Sequence, residues 1–92
     1  MITGIQIRAA RSLLGWSADV LAKSSGISVV TIRRLERHEG VPPSRAQSLN
    51  DLQHAFEAAG IEFIGSPEEG PGVRLWSKRP KLSRAKASGR LP

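Results

Sequence analysis

The strongest constraint on this chain is its punctuation. Gly15, Gly26, the stretch Gly40-Val41-Pro42-Pro43 and Gly60 divide residues 1–60 into four short segments, each with apolar residues at helical spacing. None is long enough to hold a core alone, so the chain must stack short amphipathic helices against one another. Residues 4–14 place Ile7, Ala10, Leu13 and Leu14 on one face beside Arg8 and Arg11, and Gly15 closes the segment. Ser17 suits the cap of a second helix over 18–24, with Val20, Leu21 and Ala22 inward and Trp16 as an apolar staple before the cap. Gly26 ends it in the left-handed conformation that glycine adopts at least cost. Ile27 anchors the turn, and Ser28 caps a third helix reaching about Arg37. Beyond the proline loop, Ser44 is expected to cap a fourth helix over about 45–59, with Leu49, Leu52, Ala55 and Phe56 on one face and Gly60 as its stop.

After Gly60 the period changes. Ile61-Glu62-Phe63-Ile64 and Val73-Arg74-Leu75-Trp76 read as two short strands around the turn-rich residues 65–72. Residues 77–92 have almost nothing to bury and are expected to be disordered when free. The expected organisation is therefore mainly α: a helical domain over 1–60, a short C-terminal β-hairpin over 61–76 and a basic tail over 77–92.

Charge is unevenly divided within the net +6. The tail holds Lys78, Arg79, Lys81, Arg84, Lys86 and Arg90 and no acid. Residues 1–45 carry seven bases against three acids, and residues 46–76 one base against five acids. A basic front, an acidic back and a basic tail imply different partners for each. With no cysteine there is no disulfide framework, no thiolate zinc site and no thiol nucleophile. Arginines interrupt the N-terminal stretch where a signal peptide needs its apolar run, so a soluble cytoplasmic protein is expected. Catalysis has little support. His38 and His54 lack metal-ligand spacing, Glu68 and Glu69 are neighbours in a turn, and residues 65–72 have no phosphate-loop lysine. No enzyme activity, metal or cofactor is expected.

The third helix carries the most informative surface. At about 100° per residue, Ile32 and Leu35 point to the core with Thr31 and Glu36 flanking them. Val30, Arg33, Arg34 and Arg37 collect on the opposite face, with Val29 at its edge. Like charges on one helix face repel by a few tenths of a kcal/mol per pair, roughly, which makes sense where the face meets phosphates and base edges. The alternative is a solvated surface whose arginines are salt-bridged to neighbouring acids.

Leu13 to Pro42, LLGWSADVLAKSSGISVVTIRRLERHEGVP, resembles the Xre/Cro, or phage-repressor-like, family of helix-turn-helix proteins. Leu21 and Ala22 match its second-helix core positions, Gly26 its turn glycine, Ile27, Ile32 and Leu35 its apolar anchors, and Glu36 the acid closing its third helix. The resemblance covers about 60 residues and implies a four- to five-helix domain that binds double-stranded DNA with its third helix in the major groove. It implies an Arg11–Glu36 salt bridge bracing that helix. It also implies base reading by Ser28, Val29, Val30, Thr31 and Arg34, and backbone or mixed contacts by Arg8, Ser17, Lys23, Arg33, Arg37 and Arg45. Two positions depart from the family pattern. Ala18 stands where a phosphate-binding Gln is usual, and Ser25 stands where an apolar residue usually precedes the turn glycine, which implies a looser turn.

Ile61, Phe63, Ile64, Val73, Leu75 and Trp76 are more apolar than a solvated flap requires. They are expected to join the hairpin to that of a second copy; the alternative is packing on the chain's own helices. The tail either follows phosphates or only solubilises the chain. The resulting expectation is a sequence-specific transcriptional regulator, a repressor in the first instance, acting as a homodimer on a near-palindromic operator. An antitoxin that binds a toxin partner and controls its own operon is the competing reading, with a recombination accessory factor a further one.

Overall fold

The computed structural model describes residues 1–76, so the basic tail over 77–92 lies outside the described residues. Its elements are α1 (Gly4–Leu14), α2 (Ala18–Ser25), α3 (Val29–Glu36), α4 (Ala46–Ala58), β1 (Ile61–Ile64) and β2 (Gly72–Leu75). The architecture is mainly α, with an antiparallel two-stranded sheet in which Ile61 pairs with Leu75 and Phe63 with Val73.

Local chemistry sets the element ends. Thr3 and Gln6 form a full capping box at the start of α1: the Thr3 hydroxyl accepts the Gln6 N–H, and the Gln6 side chain accepts the Thr3 N–H. Ser17 and Ser28 cap α2 and α3 by accepting the N–H three residues on. Ser44 is not the cap of α4. Arg45 occupies that position and contributes no side-chain bond, so α4 relies on packing for its start. Gly26 adopts the left-handed conformation, with φ of 79°, in the turn between α2 and α3. Ser25 tightens this turn instead of loosening it. Its hydroxyl donates to the Leu21 carbonyl at 2.8 Å and accepts the Ile27 N–H at 3.1 Å, closing the helix end with polar bonds where an apolar contact was expected.

Ile7, Ala10, Leu21, Ile32, Leu35, Leu49, Leu52 and Phe56 form one core with Ile2, Ala18 and Ile61. Two expected core residues lie outside it. Leu13 and Val20 are 45% and 41% exposed, because each falls on the solvent side of its short helix once Ala10 and Leu21 face inward. Trp16 packs across the molecule, its ring stacked at 5.9 Å on Phe56 of α4.

The hairpin packs on its own chain. β2 lies against α1 and β1 against α4. Ile61 is buried, Phe63 and Val73 pack on the core, and Phe63 meets Phe56 edge-on at 6.0 Å. Ile61 is thus taken up by the chain's own core, and Phe63 and Val73 are partly so. A two-stranded ribbon has too little face to stand alone, and the apolar roof between α1 and α4 is the surface it covers. Gln6 adds a polar tie: its amide donates to the Gly72 carbonyl at 2.9 Å and the Ile64 carbonyl at 3.3 Å.

Gly4 is a close-approach position. Its N–H donates to the Gly40 carbonyl at 2.9 Å, and a Cβ there would overlap the carbonyl oxygens of Leu35 and His38 at the end of α3. Gly4→Ala is accordingly expected to destabilise the fold by about 1–3 kcal/mol through overpacking against backbone that cannot rotate away. Urea denaturation checks this, and unchanged stability would show that the α1–α3 approach is softer than the geometry implies.

Candidate nucleic-acid interface

The inner and outer faces of α3 differ in burial, with Val29 and Thr31 half-buried between them. Ile32, Leu35 and Glu36 are buried, while Val30, Arg33 and Arg34 are exposed, as is Arg37 just beyond the helix. Val30 is 79% exposed, the most of any large apolar residue on the described surface. Leaving a β-branched apolar side chain so fully in water gains nothing for the fold.

Arg11 and Glu36 fix the helix in place. The Arg11 guanidinium reaches across from α1 in a two-pronged contact, Nε to Oε2 at 2.7 Å and Nη2 to Oε1 at 3.0 Å. A third donor, Nη1, binds the Trp16 carbonyl at 3.0 Å. One side chain thus joins α1, the entry to α2 and α3. The Glu36 hydrogen bond, helped by its negative charge, raises the Arg11 pKa against the opposing cost of burial. A raised cation pKa stabilises the fold below the ordinary arginine range and loses that stabilisation only as pH climbs through the raised value. The brace therefore holds throughout neutral and mildly alkaline conditions.

Because Arg11 engages Glu36, the other cations of this face have no acid to neutralise them. Among the described residues the ion pairs are Arg11–Glu36 and Arg74–Glu62, and Arg8, Lys23, Arg33, Arg34, Arg37 and Arg45 take part in neither. Arg8, Arg33 and Arg37 line an open depression with Glu36 between α1 and α3. Lys23 stands exposed in the last turn of α2, and Arg45 at the start of α4.

Arg34 is oriented by a contact the sequence did not signal. Its Nη1 donates to the Pro43 carbonyl at 3.1 Å, so the loop after α3 holds the guanidinium by one of its five donors. Nothing in the residue pattern indicates which way that carbonyl points.

The expected base-reading residues differ in exposure. Val29 is half-buried and packs on the core, because the turn at Gly26 brings the first residue of α3 inward beside Ile27. The Ser28 hydroxyl is engaged twice, accepting the Thr31 N–H at 3.2 Å and donating to the Thr31 Oγ1 at 3.0 Å. Val30 and Arg34 are exposed with Ser28, Arg33 and Arg37, and Thr31 is half-buried. Ala18 is 5% exposed and belongs to the core, while the exposed Ser17 hydroxyl accepts the Val20 N–H. No group of three or more His, Cys, Asp or Glu among the described residues could hold a metal ion, and no helix there is long and apolar enough to cross a membrane.

Compared with protein-family models, curated proteins and solved structures, the chain has no match in any of the three.

Removing either side of the brace strands its partner's charge in a partly buried setting. Arg11→Met and Glu36→Gln are each expected to cost about 3 kcal/mol, and the double variant less than the two together. A double-mutant cycle by denaturant titration measures this. Strict additivity would mean that the pair does not act as a unit.

Proposed function

We propose that this chain is a phage-repressor-like helix-turn-helix protein that binds double-stranded DNA in a sequence-dependent way and regulates transcription, in the first instance as a repressor acting in the cytoplasm. The observation that carries this reading is the outward face of α3: cations with no carboxylate partner among the described residues, next to a valine 79% exposed. A salt-bridged solvated surface would have its arginines paired with acids, and Glu36, the one acid on α3, is held by Arg11. An α-helix fits the major groove of B-DNA, and arginine offers two parallel donors to guanine O6 and N7.

Residue roles follow from geometry. Arg34, steered by Pro43, is the principal reader. Val30 is placed to meet a thymine methyl, and Thr31 a base edge or phosphate. Arg33 and Arg37, with Arg8 across the depression, face the strand backbone. Lys23, Arg45 and the amide groups around Ser17 are outer phosphate contacts. Two copies on a near-palindromic site would set their recognition helices about 34 Å apart, one turn of DNA.

Footprinting of the purified protein on genomic fragments at stated salt tests the reading, which fails if no duplex is preferred over random competitor. On a selected site, Arg34→Ala should weaken binding by about 1–3 kcal/mol and relax preference at one base pair. Arg37→Ala should instead weaken all duplexes alike and lower the salt slope by about one. If the Arg34 variant keeps the full base preference, Arg34 is not a reader.

A further inference from the structure

The outward face of α3 sets one apolar side chain among cations. Val30 is 79% exposed, and Arg33, Arg34 and Arg37 are exposed with it and take part in no ion pair among the described residues. Whatever covers this face must therefore be a polyanion that also carries an isolated apolar group. The major groove of a duplex meets both requirements. Phosphates border it, and the one apolar group on its unmodified base edges is the 5-methyl of thymine. 5-Methylcytosine carries the same group at the same ring position.

Val30 and Arg34 lie four residues apart in α3, about 40° around the helix and about 6 Å along it. Stacked bases rise about 3.4 Å, so the two side chains can address one base pair and its neighbour. Arg34 comes to this step already oriented. Its Nη1 donates to the Pro43 carbonyl at 3.1 Å, which leaves the edge formed by Nε and Nη2 uncommitted. Arg11 uses that same edge to hold both oxygens of Glu36, and the edge fits guanine O6 and N7 equally well. A guanidinium bonded in this way lies in the plane of its guanine. Right-handed stacking then sets the C5 position of the 5′ neighbour over the guanidinium face, which is weakly hydrated. A methyl at that position gives Val30 an apolar partner, whereas a bare C5–H leaves the valine in water.

We propose that Val30 and Arg34 act as a pair that reads a 5-methylpyrimidine followed by guanine. The protein then accepts a TpG step or a methylated CpG step and discriminates against unmethylated CpG. This rests on the DNA-binding reading and adds a chemical consequence to it: cytosine methylation at the contacted step raises affinity. Arg34 selects the guanine and Val30 selects the methyl.

Full-length protein is given a pool of random duplexes at stated salt, and its preferred site is resynthesised with single-base changes. The site is expected to contain a thymine–guanine step whose guanine preference is lost in Arg34→Ala. Uracil in place of that thymine removes only the methyl and should weaken binding about fourfold, the worth of one methyl taken out of water. With cytosine at the same position, 5-methylation on the guanine strand should strengthen binding about fourfold. Val30→Ala alters an exposed position, so it should keep its helical signal and its guanine preference and bind the thymine and uracil duplexes alike. A preferred site without the step, uracil bound as tightly as thymine, or no gain from 5-methylcytosine overturns the proposal. So does a Val30→Ala variant that still separates thymine from uracil. The two readings fail differently: no preferred duplex at all sinks the functional reading and this one with it, whereas a preferred site read by Arg34 but blind to the methyl sinks this one alone.

Discussion

The arrangement of this protein depends on one guanidinium. Arg11 has three of its donors engaged, two by Glu36 and one by the Trp16 carbonyl, and so ties α1, the turn into α2 and α3 together. Burying an ion pair costs much of what its attraction returns, so its worth lies as much in specificity of position as in net stability. Here the geometry is planar and bidentate, which fixes the rotation of α3 about its axis as well as its distance from α1. The same contact sets the electrostatics of the surface. Glu36 is the one acid on α3, and once Arg11 holds it, Arg33, Arg34 and Arg37 are left without a counter-charge among the described residues.

α1 is the hub through which the rest is assembled. Near its start, Gly4 allows the carbonyls at the end of α3 to approach its backbone, and Gln6 serves both its capping box and the hairpin carbonyls. Near its end, Arg11 holds the other helices. Ile61, Phe63 and Val73 close the roof between α1 and α4. What they do not close is the outer edge of β2.

Much of this was legible in the sequence, and the reasons for the exceptions are physical. Glycine and serine mark helix ends by local chemistry, so α1, α2 and α3 could be read almost residue by residue. Leu13 and Val20 were misplaced because a helix of two or three turns has room for only a narrow buried stripe, and apolar residues beside it look identical in pattern. Ser44 failed as a cap because a serine near a helix start is a sufficient cap only if the chain turns at that residue, and here the turn comes one residue later. Val29 depended on the exit angle from the Gly26 turn, and the destination of the hairpin on which apolar surface lay nearest. Neither is encoded in spacing. Gln6 and the Pro43 carbonyl act through contacts across space, and a polar residue on a helix or a carbonyl in a loop carries no mark of its partner.

With Val29 packed on the core and the Ser28 and Thr31 hydroxyls bonded to each other, base discrimination on the proposed reading falls chiefly on Val30 and Arg34. A single bidentate arginine distinguishes its base by about 1–3 kcal/mol, and a methyl contact adds less. A regulator must exceed its own non-specific binding by about 4–10 kcal/mol to find its site among genomic competitors. One copy therefore falls short, and its unpaired arginines make matters worse by strengthening attachment to any duplex. Doubling the readers on a two-fold site closes the gap without a new contact type, provided the two copies are held rigidly and face the same way. A flexible tether between the copies would forfeit much of the gain to entropy. On the proposed reading, the small reading surface of α3 is thus sufficient only when two copies share one site.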